Sequence, residues 1–162
     1  MISIFTPSHD PKYLDKCYES LVAQTIDNWE WVVVLNGDAK WTKPDDKRVV
    51  TYRLEGGKGV GYYKAEAVNW CTGDIFVELD HDDMLMPDAL NIVDWVFSRH
   101  AEVGFVYSDF AQIDEFGMPN HDKFDLRHGW DYYTDGDYLV TDSFPPHPHN
   151  MGYIWYAPNH LR

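Results

Sequence analysis

Cationic side chains are scarce in this sequence. Lys and Arg number 13 against 27 Asp and Glu, a formal net charge of −14. That excludes an ordinary nucleic-acid surface, because such binding rests on Lys and Arg neutralising phosphates. Nor can bulk charge hold a nucleoside diphosphate: two like charges about 4 Å apart repel by about 4 kcal/mol at an effective dielectric near ~20. A phosphate ligand would need a divalent cation, helix N-termini or a few well-placed Lys and Arg. Cysteine is scarcer still. Only Cys17 and Cys71 occur, and neither their number nor their spacing suggests a disulfide framework or a zinc site. Both fall in apolar patterns, as reduced core thiols would. No apolar run approaches the length of a membrane span, about 20 residues. The start, Met1-Ile2-Ser3-Ile4-Phe5, lacks the basic residues and extended apolar stretch of a signal peptide. A soluble, cytoplasmic protein is expected, with peripheral contact at a membrane left open. Internal repeats and low-complexity tracts are also missing.

What is present suits one globular domain. The chain has 162 residues, 44% of them hydrophobic and 16% aromatic, enough for a sizeable core. Its seven Trp and eleven Tyr suit core packing and also stacking against sugars and bases.

Periodicity gives strands alternating with helices. Ile2 to Thr6 reads as a short buried strand, broken by Pro7. Asp10 is an expected N-cap with Pro11 at the first helical position. Leu14, Cys17, Tyr18, Leu21 and Val22 then recur at helical spacing, and Gln24-Thr25 ends the helix. Trp29 to Leu35 is apolar except at Glu30, as in a strand covered on both faces. Val49 to Leu54 is a third strand, Tyr62 to Cys71 a helix stopped by Gly73, and Asp74 to Leu79 a fourth strand. Pro87 opens another helix, and Val103 to Tyr107 reads as a fifth strand. Alternation of this kind implies a mostly parallel sheet with right-handed crossovers. Beyond Asp109 the pattern weakens. Asp114 to Gly117 reads as a hairpin turn, and residues 120–150 as a polar, aromatic, Pro- and His-rich stretch without assignable elements. The expected division is a core over residues 1–110 and an irregular region over 111–162 of the same domain.

In open α/β sheets, ligands bind outside the carboxyl ends of the strands. Three groups fall there: Thr6-Pro7-Ser8, Asn36-Gly37-Asp38 and Asp80-His81-Asp82-Asp83. The last is the sharpest signal. Three carboxylates in four positions oppose one another's ionisation, and a divalent cation relieves that repulsion. Carboxylate oxygens are hard ligands, which favours Mg²⁺ or Mn²⁺ over zinc. The competing reading is a solvated acidic turn ahead of the helix at Pro87; delivery of the tetrad by the apolar strand Ile75 to Leu79 favours a metal site. Gly56 to Gly61 does not fit the dinucleotide fingerprint and follows the wrong strand for it. It is expected to be a mobile loop with Lys58 near a phosphate. Among the late histidines His121, His128, His147, His149 and His160, His149 is a candidate further metal ligand.

The segments Ser3 to Ser8, Ser20 to Thr25, Trp29 to Val34, and Gly73 to Asp83 with Pro87 following are similar, in order and spacing, to family-2 glycosyltransferases of the GT-A fold. The resemblance covers roughly the first 110 residues. It implies transfer of a sugar from a nucleoside-diphosphate sugar to an acceptor hydroxyl, with inversion and a Mn²⁺ or Mg²⁺ ion. Carried over by position, it implies donor contacts at Thr6, Pro7, Ser8, Asn36, Lys64, Asp80 and His81. Asp80 and Asp82 stand at the Asp-x-Asp motif that meets the ribose and the diphosphate-bound metal; His81 is the spacer between them. Asn36 departs from the family's usual Asp, exchanging a charge for an added donor. The resemblance also expects an Asp or Glu as general base in a later, acceptor-binding part. The chain ends near where that part begins, leaving Asp125, Asp137 and Asp142 as base candidates and the acceptor, whether carbohydrate, lipid or protein, open. The oligomeric state is not legible. The rival readings are a non-catalytic nucleotide-sugar or carbohydrate-binding module, and a nucleotidyltransferase; the latter would want a Gly-rich basic loop after the first strand, and Thr6 to Asp10 is not one.

Overall fold

The computed structural model describes residues 1–121 and 132–141. The chain divides into two compact units, Met1–Trp95 and the residues from Val96 on.

The first unit is built on four parallel strands: β1 (Ile2–Ser8), β2 (Trp29–Asn36), β3 (Val49–Leu54) and β4 (Ile75–Glu78), in the order β3-β2-β1-β4. Helices α1 (Leu14–Val22) and α2 (Val60–Asn69) lie in this unit, and the boundary between units falls within α3 (Ala89–Arg99). Alternation along the strands splits the core in two. On one face Ile2, Ile4, Trp29, Trp31, Val33 and Leu35 meet Leu14, Cys17 and Leu21 of α1 and Leu90 of α3. On the other, Phe5, Val32 and Val34 meet Ala67 of α2. Every β1 residue is buried, as befits a central strand covered on both faces.

The helix entry expected at Asp10 is present, though its first turn, Pro11–Tyr13, is a 3₁₀ turn; the Asp10 side chain accepts from Lys12 N. Val22 lies outside the apolar face and is exposed.

At the amino ends of the strands a polar latch closes the sheet. Glu30 Oε1 accepts from Ser3 Oγ at 2.5 Å, Thr72 N at 2.6 Å and Thr72 Oγ1 at 2.9 Å. Burial opposes ionisation of Glu30, but these hydrogen bonds outweigh it and hold the carboxyl below its ordinary value. Gly73 belongs to this corner by necessity: a Cβ there would lie 2.5 Å from Met1 O and 2.8 Å from Ser3 Oγ.

The second unit contains an antiparallel sheet of β5 (Phe110–Ala111), β6 (Tyr132–Asp135) and β7 (Tyr138–Thr141), in the order β5-β7-β6. The expected turn at Asp114 is there: Asp114 Oδ1 accepts from Phe116 N and Met118 N, and an Ile113–Pro119 bridge closes it. Two expectations are corrected. Val103 to Tyr107 forms no strand; an apolar run supplies the surface for a strand but not the ladder partner that makes one, and Phe105 is exposed. The stretch expected to lack elements contains the β6–β7 hairpin, paired from Tyr132↔Thr141 to Asp135↔Tyr138. No helix among the described residues is long and apolar enough to cross a membrane.

Candidate functional site

The parallel register puts the ends of three strands on one edge. Ser8 pairs with Leu35, and Phe5 with Glu78, so Ser8, Asn36 and Asp80 close the same side of the sheet.

The end of β1 is mostly interior. Thr6 Oγ1 donates to Leu79 O at 2.7 Å and accepts from Trp31 Nε1 at 2.8 Å, tying β1 to its neighbours on both sides. Pro7 is buried, and the Ser8 hydroxyl is buried without a hydrogen-bond partner among the described residues. What this strand presents to solvent is the pair that follows, His9 and Asp10. The His9 ring stands edge-on to His81 at 4.9 Å, bringing together the ends of β1 and β4. Sequence reasoning does not single out His9; its neighbour after β4 is distant in the chain.

After β2, Asn36 leads into Gly37, whose φ of 62° lies in the left-handed region that favours glycine. The Gly37 backbone also comes close to Gly56, where an added Cβ would lie 3.2 Å from Gly37 Cα. Arg53 Nη1 donates to Gly37 O at 3.2 Å. Of the Gly56–Gly61 segment, Val60 and Gly61 already belong to α2, and Tyr63 OH ties the stretch before it, accepting from Lys58 N at 3.1 Å and donating to Glu55 O at 2.9 Å.

The acidic turn follows β4, closed by Asp83 N donating to Asp80 O at 3.1 Å. Strand alternation turns Glu78 and Asp80 toward the face that carries α2, where Lys64 is waiting. Its Nζ lies 2.5 Å from Glu78 Oε1 and 3.0 Å from Asp80 Oδ1. Partial burial of Lys64 disfavours its charge, but the two carboxylates outweigh burial and raise its pKa, so the ammonium persists. Glu78 is a second residue that sequence reasoning passes over. Asp83 experiences the opposite environment: partial burial first, then the charges of Asp82 and Asp80, hold its carboxyl above the ordinary value.

The donor set fits a hard divalent cation that shares its coordination with a ligand. Asp80 and Asp82 offer carboxylate oxygens, and a positive ion would relieve the repulsion that adds to burial in raising Asp83. Among the described residues no three His, Cys, Asp or Glu side chains gather as a closed metal cage, so phosphate oxygens and water would have to complete the shell. Asp137 is exposed in the turn of the β6–β7 hairpin, beside Gly136 at φ 56°. Asp125, Asp142 and His149 lie outside the described residues.

The family described as glycosyl transferase family 2 matches residues 3–153. Among curated proteins, the chain is 29% identical to a chondroitin synthase of Escherichia coli over 72% of its own length and 18% of that protein. It is 29% identical to the Escherichia coli O-antigen biosynthesis glycosyltransferase WbnJ, over 76% of this chain and 54% of the other. An uncharacterized glycosyltransferase of Methanocaldococcus jannaschii is 25% identical over 96% of this chain and 50% of its own. The chain thus spans about half or less of the length of these relatives. The crystal structure of residues 1–349 of S. aureus TarS superposes with a TM-score of 0.52 at 18% identity, covering 62% of this chain and 33% of that one. That likeness concerns the fold, and with the parallel sheet it bears out the GT-A type of architecture. Because the family match runs through both units and takes in the acidic turn, the chain belongs to glycosyl transferase family 2.

Proposed function

We propose that the chain serves transfer of a sugar from a nucleoside-diphosphate sugar to an acceptor hydroxyl, with inversion at the anomeric carbon. The observation that carries this reading is the acidic turn at the end of β4, with Lys64 against Asp80, on the edge where β1 and β2 also end. Residues 1–110 are assigned to the donor and 111–162 to the acceptor side. Two relatives are named for chondroitin and O-antigen synthesis, which supports a saccharide acceptor.

Asp80 and Asp82 would hold Mn²⁺ or Mg²⁺, with His81 as the spacer between them. That ion, when bound, supplies positive charge to the departing diphosphate. Lys64 already carries a persistent charge beside Asp80 and adds to the same electrostatic task. Asn36 is assigned to the base, where its amide both donates and accepts. Thr6, Pro7 and Ser8 are buried at the end of β1, so their part is to hold the strand end in place beside the donor. In a single displacement the attacking hydroxyl loses its proton to a carboxylate on the acceptor side, and Asp125, Asp137 and Asp142 are the candidates.

The test is calorimetry of nucleoside diphosphates with Mn²⁺ and with EDTA. Asp82→Asn is expected to fold normally and to lose roughly tenfold or more of the Mn²⁺-dependent affinity. Asp88→Asn, on the exposed turn before α3, is expected to bind like the parent. Equal binding by both variants, or parent affinity indifferent to EDTA, would sink the reading.

A further inference from the structure

We propose that Cys17, Ser20 and Gln24 are positioning residues for the acidic turn: one face of α1 and its exit grips the backbone of residues 80–90 and holds Asp80 and Asp82 in place for their ligand. This rests on the donor-site reading above, and it names residues that act through the main chain without touching the ligand.

The contacts run in order along both segments. Cys17 Sγ faces the carbonyl oxygens of Asp83 at 3.2 Å, His81 at 3.3 Å and Asp80 at 3.8 Å. One turn on, Ser20 Oγ accepts from Leu85 N at 3.2 Å and donates to Cys17 O at 2.7 Å. A further turn on, Gln24 Nε2 donates to Met86 O at 2.8 Å and to Ser20 O at 2.9 Å, while its Oε1 accepts from Leu90 N at 3.0 Å. Thr25 N adds a bond to Pro87 O at 2.9 Å. Cys17 and Ser20, three apart, share one face of α1, and Gln24 follows just past the end of the helix.

Two physical facts make this more than packing. Residues 80–88 belong to no strand or helix, so no ladder fixes their backbone, and their polar groups need partners from elsewhere. All three side chains are buried, and burying polar groups is costly unless they are paired. Leu or Ala at these positions would pack α1 more simply. A polar line is explained by what it faces, which is main chain. The thiol is part of the grip and not a reagent: burial first, then the charge of Asp83, pushes Cys17 up to about 12. Ligand geometry tolerates displacements of only about half an ångström, so slack anywhere from Asp80 to Leu90 reaches the carboxylates.

The experiment uses the full chain and three variants. Gln24→Met keeps the volume and removes three hydrogen bonds. Ser20→Ala removes the bond to Leu85. Val33→Ala is the control, a loss in the same core that bonds nothing in the turn. Two readouts are taken where all are folded: Mn²⁺-dependent affinity for UDP, GDP, ADP and CDP, and amide hydrogen exchange at Asp83 without ligand. Gln24→Met is expected to bind roughly 10–100-fold more weakly and to exchange faster at Asp83, whereas Val33→Ala stays within about twofold. Parent-like affinity in Gln24→Met, or an equal loss in Val33→Ala, overturns the proposal. If the parent itself binds no nucleotide with Mn²⁺, the donor reading falls, and exchange alone decides: unchanged protection at Asp83 overturns the positioning role. Should Gln24→Met fail to fold, Ser20→Ala carries both readouts with the same criteria.

Discussion

Thr6 and Ser8 stand two positions apart on β1 and point to the same face, yet their hydroxyls have opposite standing. Thr6 is bonded to Leu79 O and Trp31 Nε1; Ser8 has no partner among the described residues. Thr6→Val keeps the shape but strands a buried carbonyl and a buried indole N–H, each costing about 1–3 kcal/mol. A loss of about 2–6 kcal/mol is therefore expected in urea unfolding. Ser8→Ala removes only an unsatisfied group, so its stability should be within about 0.5 kcal/mol of the parent or higher. Similar losses for both would mean that Ser8 has a partner. The contrast also marks what single residues disclose in sequence. The acidic turn is legible because its carboxylates are adjacent and follow an apolar strand. The Thr6 bonds, the His9–His81 contact and the Glu78–Lys64 pair depend on which strands become neighbours, and the chain order of residues does not state that. Gln24 reads only as the end of a helix, because its partners, Met86 O and Leu90 N, are main-chain atoms common to every residue.

At the scale of elements, strand and helix order is readable because β1, β2 and β4 are mostly apolar and rich in Ile, Val, Phe and Trp, and α1 repeats Leu14, Cys17 and Leu21 at helical spacing. The order β3-β2-β1-β4 puts β4 beside β1, on the side away from β2 and β3, a placement that the order of strands along the chain does not state. The hairpin of β6 and β7 escapes a sequence reading although aromatic and β-branched residues flank Asp135-Gly136, because its short strands, YYTD and YLVT, show no period-2 alternation and lie in polar, Pro- and His-rich surroundings. What sequence periodicity cannot convey is how β2 is joined to β3. There Asp46 accepts from Tyr18 OH at 3.0 Å, Arg48 N at 2.8 Å and Arg48 Nη2 at 2.8 Å, while the Arg48 guanidinium lies 3.8 Å over the Trp29 ring. The Arg48 hydrogen bond, chiefly, lowers Asp46 from 3.8 to about 2. A carboxyl whose folded pKa is depressed contributes stability above its unfolded pKa and loses it as pH falls through the folded one. Asp46→Asn is accordingly expected to cost about 2–3 kcal/mol at neutral pH. The gap to the parent should narrow as pH falls from about 4 toward about 2. Urea melts across that range check it; a gap independent of pH would assign the cost to geometry and not to charge.

For the molecule as a whole, the decisive quantity is the formal net charge of −14. A nucleoside diphosphate adds more negative charge, so its approach is opposed at long range whatever the local contacts. At long range the charge of Lys64 is balanced by Glu78 and Asp80 beside it, so its contribution to the phosphates is confined to close contact. The balance of long-range repulsion and local attraction can be separated by salt, because the Debye length shortens from about 10 Å at 0.1 M to about 3 Å at 1 M. Without divalent metal, screening weakens mainly the repulsion, and nucleotide affinity is expected to rise as KCl increases. With Mn²⁺ held by Asp80 and Asp82, the dominant interaction becomes attraction between a cation and phosphate, which screening also weakens; affinity is then expected to fall with KCl. The sign of the salt dependence should therefore reverse on adding metal. Titration of a fluorescent nucleoside diphosphate at several KCl concentrations, with Mn²⁺ and with EDTA, measures both slopes. Slopes of the same sign would show that the whole-molecule field does not govern approach, and that local cations hold the phosphates without help from a divalent ion.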